Sequence, residues 1–508
     1  MGFVRVRTRW RMMTGITVVA SVVLVAVVSR TQGGPVLRTV DLDQRAGDLA
    51  VDTSAGQVFA ETLRPDGSDA RLRVFDARTG MVLRTVAVPD QGTAFGIAPR
   101  SGHIFMAGTA TTGATTVRML DARRGVVLRT VPIDTNPSMV VVRERAGRVY
   151  VVSSGVGLCD SRNTCSVLDS SVSVLDAATG RRLRTLRVAG GATAIGVDDR
   201  AGRVVVTSDT QLGRGSGTIS ALDARTGRLV RAISIPMAPG QVAVDEATGR
   251  AFVLASSSNP FLPHSNTGRV YVLDTRTGAV VRMLALPAPP VDVAVDEAAG
   301  HAFVAVQGPS RLVSFAFPPV GGGSGGVTSS GGAERMPLGP GEVRMLDARS
   351  GAVLRTVPVG VVPTALAVDA RHGLILVAAW GSKDSYETSG MSRVTIKAPL
   401  VAPGSVSVLD ATSGAVRRTI TLDTSPRAIA VDERTGHVFV VNDGSFVPLP
   451  IPDPWAWIPG WVRRWAPFVP PPPSGTRTVP ASLSVLDVAQ QRTQVSGEGP
   501  NQRHRVVM

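Results

Sequence analysis

Histidine, acid and arginine side chains recur in this chain at fixed offsets, and those are the residue types from which acid–base, metal and anion sites are built. Three of the six histidines, His103, His301 and His437, directly follow a glycine, in the slot that holds Arg148, Arg203 and Arg250 elsewhere; His372 lies one residue before its glycine. A side chain copied into the same turn slot reads as turn decoration, not as a catalytic base. The chain carries no His-Glu-x-x-His, no Cys-x-x-Cys-His and no phosphate-binding glycine loop. No catalytic residue, metal or cofactor is therefore assigned. Cys159 and Cys165 share one polar loop, and outside the cytoplasm a local disulfide is the expected use of such a pair.

The acids reveal what positions everything else. An apolar strand ends in Asp at Asp76, Asp121, Asp176, Asp223, Asp274, Asp347, Asp410 and Asp487, and all but the last are followed by Gly four residues on. A second series interleaves at Asp52, Pro99, Arg143, Asp198, Asp245, Asp296, Asp369 and Asp432. From the first series to the next site of the second the spacing is 22 residues in six cases and 23 in one. Such regularity means one supersecondary unit copied end to end. Each unit reads as four short Val- and Ile-rich strands joined by Asp-x-x-x-Gly turns, in which Asp bonds its own backbone and Gly supplies the positive φ of a tight hairpin. The expected fold is all-β, a β-propeller of four-stranded blades.

Counting the copies gives eight blades. After Asp487 the turn glycine is missing, but Gly34 and the residues Val36-Leu37-Arg38-Thr39-Val40 copy Gly80 and Val82-Leu83-Arg84-Thr85-Val86. An N-terminal strand is therefore expected to complete the last blade and close the ring, leaving only short protected edges. Seven blades, with Arg492 and Thr493 supplying a private outer strand, is the alternative. The organisation is an export segment at 1–30, a propeller over 31–490 and a polar tail at 491–508.

Units such as Ala430-Val431-Asp432-Glu433-Arg434-Thr435-Gly436-His437-Val438-Phe439-Val440-Val441-Asn442, with Val149-Tyr150-Val151-Val152 approximating the signature tetrapeptide, resemble YVTN-family β-propeller repeats over roughly residues 34–490. The resemblance implies the fold and leaves function open, since such propellers serve as binding proteins, surface-layer components and enzymes. In quinoprotein propellers a similar Asp-x-x-x-Gly motif carries Trp where this chain places Arg38, Arg84, Arg129, Arg184, Arg231, Arg282, Arg355 and Arg418; the missing Trp argues against a quinone.

Those arginines, one per blade, form a girdle expected to bond a repeat Asp or to cap a blade edge. The chain has a net charge of +15, and only Lys383 and Lys397 among its 54 basic residues are lysine. A basic surface attracts anionic partners. Nucleic acid is the less favoured of them, because no aromatic residues interleave with the arginines for stacking.

Arg5, Arg7, Arg9 and Arg11 precede an uncharged run over 12–29, which as a helix is roughly 27 Å long, close to a hydrocarbon core. Basic flank first predicts the N-terminus inside and the propeller outside. The segment is read as a signal anchor, with a cleaved signal peptide and a secreted protein as the alternative.

Binding usually lives on loops carried by a rigid scaffold. Between second and third strands the chain lengthens at 153–171, 307–342, 380–404 and 442–482, loops that strand alternation sends to one face. The last is Pro-rich and holds Trp455, Trp457, Trp461 and Trp465, four of the six Trp in the chain. It reads as a lid on the propeller, as a surface for a protein or glycan, or as a membrane-interface anchor. At the channel mouth the inner-strand starts offer Asp48, Gln241, Asp292 and Arg427 as ligand-binding candidates. The expected function is a monomeric, membrane-tethered, extracytoplasmic binding or scaffolding module; a lyase or lactonase-like enzyme at the channel mouth is the alternative.

Overall fold

A computed structural model describes residues 36–42, 45–63, 70–88, 91–109, 113–134, 136–155, 157–159, 165–167, 169–210, 215–257, 266–316, 331–382, 385–389, 392–396, 398–448, 476–479 and 481–488. Every regular element among them is a strand. The strands build eight four-stranded antiparallel sheets, the blades, and four separate two-stranded hairpins.

The inner strands are Arg45–Asp52, Gln91–Ala98, Pro137–Arg143, Gly191–Asp198, Ala238–Asp245, Pro290–Asp296, Pro363–Asp369 and Ser425–Asp432, in blades 1 to 8. Each touches the inner strands of both neighbouring blades, so the eight form a closed ring. Seven blades take their outer strand from their own repeat. Blade 8 takes Val36–Asp41, which pairs antiparallel with Ser482–Asp487 from Val36↔Leu486 to Asp41↔Ser482. The ring has eight blades and is closed by the N-terminal strand, as the copied residues predict.

The core consists of eight apolar clusters, one at each blade-to-blade seam. In blade 1, Val58 and Ala60 pack against Phe439 and Leu483 of blade 8, while Phe59 packs against Phe95 and Ile104 of blade 2. A strand buried on both faces reads as a continuous apolar run, which is why alternation along these repeats is only partial.

Two irregularities recur in register. In the outer pair of every blade one outer-strand residue is left unpaired; between Val74↔Arg84 and Phe75↔Val82 it is Leu83. The bulge throws it outward, so Leu37, Leu83, Leu128, Leu183 and Leu354 stand exposed on the rim. Inner strands also bulge near their starts, each by one extra residue; in blades 1 and 5 two inner-strand residues, Gly47 with Asp48 and Gly240 with Gln241, stand opposite one, Glu61 and Leu254.

The girdle arginines act between blades. Arg84 donates to the Ala122 carbonyl in the turn of blade 2, Arg355 to the Ser413 carbonyl of blade 7 at 3.1 Å, and Arg418 to the Asp487 carbonyl of blade 8 at 2.8 Å. These three bonds go to backbone carbonyls of the next blade and not to a repeat Asp carboxylate, the first of the two roles expected from the sequence. The repeat Asp is engaged locally instead: Asp176 accepts from the N–H and hydroxyl of Thr179, both at 2.8 Å, and those bonds hold its carboxyl below the usual range.

Candidate functional site at the channel mouths

Strand alternation gives the ring two unlike faces. The Asp-x-x-x-Gly turns and the ends of the inner strands lie on one, the turn face. The inner-strand starts and the four insertions lie on the other, the crown face.

Each insertion carries a hairpin: Gly157–Cys159 with Cys165–Val167 on blade 3, Ser310–Ala316 with Gly331–Pro337 on blade 6, Ser385–Ser389 with Ser392–Ile396 on blade 7, and Ser445–Pro448 with Thr476–Val479 on blade 8. The hairpins of blades 6 and 7 touch. Cys159 and Cys165 are directly opposite in their hairpin's register, which puts their backbones where a local bridge needs them. Trp455, Trp457, Trp461 and Trp465 lie outside the described residues, as does the apolar run at 12–29. Among the described residues no helix is long and apolar enough to cross a membrane.

At the crown mouth the four candidates fall into two pairs on opposite sides of the axis. Gln241 of blade 5 lies at its strand's bulge and is exposed. Asp292 of blade 6 bonds its neighbours: its carboxylate accepts the N–H of Leu366 in blade 7 and of its own neighbour Val293, both at 2.8 Å. Burial pushes it up to about 6 against the pull of those N–H groups. It is a tie between blades.

The other pair is joined by charge. Asp48 lies at the bulge of blade 1, open to channel water yet walled by protein; burial raises its carboxyl above the usual range and the positive charge of Arg427 in blade 8 opposes that rise. Arg427 also reaches Asp443 at 3.4 Å. Beside them stands Glu61, on the second strand of blade 1, a residue the sequence reading passed over. It is only 3% exposed, its Oε1 has no hydrogen-bond partner, and burial, then the negative charge of Asp48, pushes its carboxyl up to about 7. The other blades put Ala107, Val152, Thr207, Leu254, Ala305, Ala378 and Val441 at this position. For acid–base or cation chemistry at this mouth, Asp48 and Glu61 are the carboxyl pair the fold brings together.

The turn-face mouth is built differently. Arg143 stands where six blades carry the buried Asp of the second series. It reaches past its own blade to Asp199 at 2.9 Å and to Glu246. A cavity of about 450 Å³ opens there, lined by Arg100, Arg143, Glu144, Asp199, Glu246 and Glu297 among others. The acids also link blades, Glu144 accepting the Arg100 N–H at 2.6 Å and Glu297 the Glu246 N–H at 3.1 Å. The histidines are turn members, as expected: His103, His301 and His437 bond the carbonyls of Ala177, Ala411 and Ala77 in the next blade at 3.0–3.1 Å. Among the described residues no three His, Cys, Asp or Glu side chains are grouped to hold a metal.

No curated protein matches the chain. Among solved structures the chain is similar to Kuenenia stuttgartiensis hydrazine synthase, with 13% identity over 82% of this chain and 96% of that one and a TM-score of 0.47. It is similar to BamB from Moraxella catarrhalis, with 12% identity, 82% and 96% coverage and a TM-score of 0.43. A europium-containing methanol dehydrogenase gives 12% identity, 89% and 93% coverage and a TM-score of 0.48. Likenesses of this size carry no weight for function. The chain is a β-propeller repeat protein, and its residues 68–296, less than half its length, match the family model described as outer membrane protein assembly factor BamB.

Proposed function

We propose that this protein is an extracytoplasmic binding or scaffolding propeller of YVTN type, held at the membrane by its N-terminal segment and docking a protein or an anionic glycan on its crown. The observation that carries the reading is the placement of the insertions. Four blades extend the chain at the same junction, each extension contains an antiparallel hairpin, and all four rise from one face while the other face keeps tight turns. Hairpins that stand outside the blade sheets add nothing to ring closure, and their open edges suit pairing with an incoming strand. The partial match to a family described as an assembly factor supports the same reading, as does the basic net charge of +15 for an anionic partner.

The test is a photo-crosslinking amino acid placed in the living cell at Arg311 or Glu387 on the crown, or at Arg225 on the turn face. Adducts are expected from the crown positions and not from Arg225. Adducts from Arg225 alone, or equally from all three, would overturn the assignment. Protease added outside spheroplasts should cut the repeats, and protection of the repeats would reverse the topology.

A further inference from the structure

Glu61 breaks a rule the other seven blades keep. Five of them fill its position with Ala or Val and blade 5 with Leu254; Thr207 in blade 4 spends its hydroxyl on the Gly240 carbonyl of the next blade at 3.1 Å. Glu61 is buried as they are, yet its Oε1 bonds to nothing. Buried carboxyl oxygens are normally satisfied, and an orphan is a place where a missing partner belongs. The local backbone is shaped around this carboxyl. Gly47 and Asp48, the two inner-strand residues at the bulge, stand opposite Glu61, and Gly47 faces Glu61 so closely that a Cβ would stand 2.8 Å from Oε2. The bulge also brings Asp48 alongside, with Arg427 and its partner Asp443 beyond.

We infer that the recess formed by Gly47, Asp48 and Glu61 binds a primary ammonium group presented from the channel. The charges select a cation. Asp48, Asp443 and an ionised Glu61 face Arg427 alone, and one ammonium reduces that excess of negative charge while its N–H groups satisfy Oε1 and the Asp48 carboxylate. A divalent metal fits poorly, since two carboxylates are too few ligands for calcium or zinc and no third ligating side chain is grouped with them among the described residues. The near-neutral Glu61 proton is then what the ammonium displaces. The site is independent of the crown hairpins, so failure of either assignment leaves the other standing.

The full chain is titrated by calorimetry with methylammonium, 1,4-diaminobutane and N-acetyl-lysine N-methylamide, and with tetramethylammonium and calcium as controls. Saturable binding of the primary amines is expected, tightening about tenfold per pH unit as pH rises towards 7. The lysine amide binding best points to a partner's side chain, and the diamine binding best to a free polyamine. Glu61→Gln and Asp48→Asn should each weaken binding on the order of tenfold or more, and Glu61→Leu should abolish it with the ring still folded by circular dichroism. Equal binding by Glu61→Leu, no binding of any primary amine by the parent, or a preference for calcium or tetramethylammonium would overturn the inference.

Discussion

Glu61 links a proton to the stability of the whole ring. An unfolded Glu titrates near 4.3, whereas burial and Asp48 push Glu61 up to about 7 in the folded chain. Below pH 4 both states hold the proton and the site costs little. As pH rises through the interval, the unfolded chain ionises first, and by pH 8 the folded state has lost about 3 kcal/mol at this one position. A Glu61→Leu variant, which copies Leu254, should therefore gain stability over the parent as pH rises from 4 to 8, by up to that amount in chemical denaturation. A difference that stays flat with pH would mean that the carboxyl is not held near neutrality. Glu61 escaped sequence reading because Ala60-Glu61-Thr62 looks like a strand running out into solvent. Only the closed ring, which covers both faces of every second strand, turns that position into core. Asp48, Gln241, Asp292 and Arg427 were legible as inner-strand starts, but their fates depend on which residue the bulge leaves unpaired. Asp48, Gln241 and Arg427 lie unpaired at their bulges, while Asp292 pairs just beyond its bulge and bonds the next blade. That choice leaves no mark in spacing.

At the scale of the element, the turn glycine does two jobs that can be separated. Gly180 has φ +66°, and a Cβ there would lie 2.9 Å from the Met119 sulfur and 3.1 Å from Cδ of Arg129 in the preceding blade. Gly202 has a similar φ of +62° and nothing within 4 Å. Gly202→Ala should cost only the left-handed backbone penalty, about 1 kcal/mol, while Gly180→Ala adds a blade-to-blade clash and should cost about 2–3 kcal/mol. Equal losses in denaturant melts would show that the arginine stem over Gly180 yields freely. The sequence announced the pairing of turn glycine and girdle arginine through their constant offset. It could not say that the two meet across a seam instead of within one blade, because both intervals repeat identically.

For the molecule as a whole, closure was the most legible feature, since Val36–Asp41 is a displaced copy of an outer strand. Removing residues 36–42 takes away the partner of Ser482–Asp487 and the fully buried Leu42. The melting temperature is expected to fall by roughly 10 °C or more, and a peptide of residues 36–42 added in trans should restore part of it. A deletion variant that melts with the parent would mean that the ring closes without its latch.

That latch also decides how the molecule bears a pull. Force arriving through the residues ahead of Val36 enters the ring on the turn face, and the closing strand runs from there towards the crown. A load held at the crown hairpins pulls along the same line. The tension therefore runs lengthwise down Val36–Asp41, across hydrogen bonds that lie perpendicular to it, and all the pairs from Val36↔Leu486 to Asp41↔Ser482 resist together in shear. Peeling them one at a time would take a sideways tug.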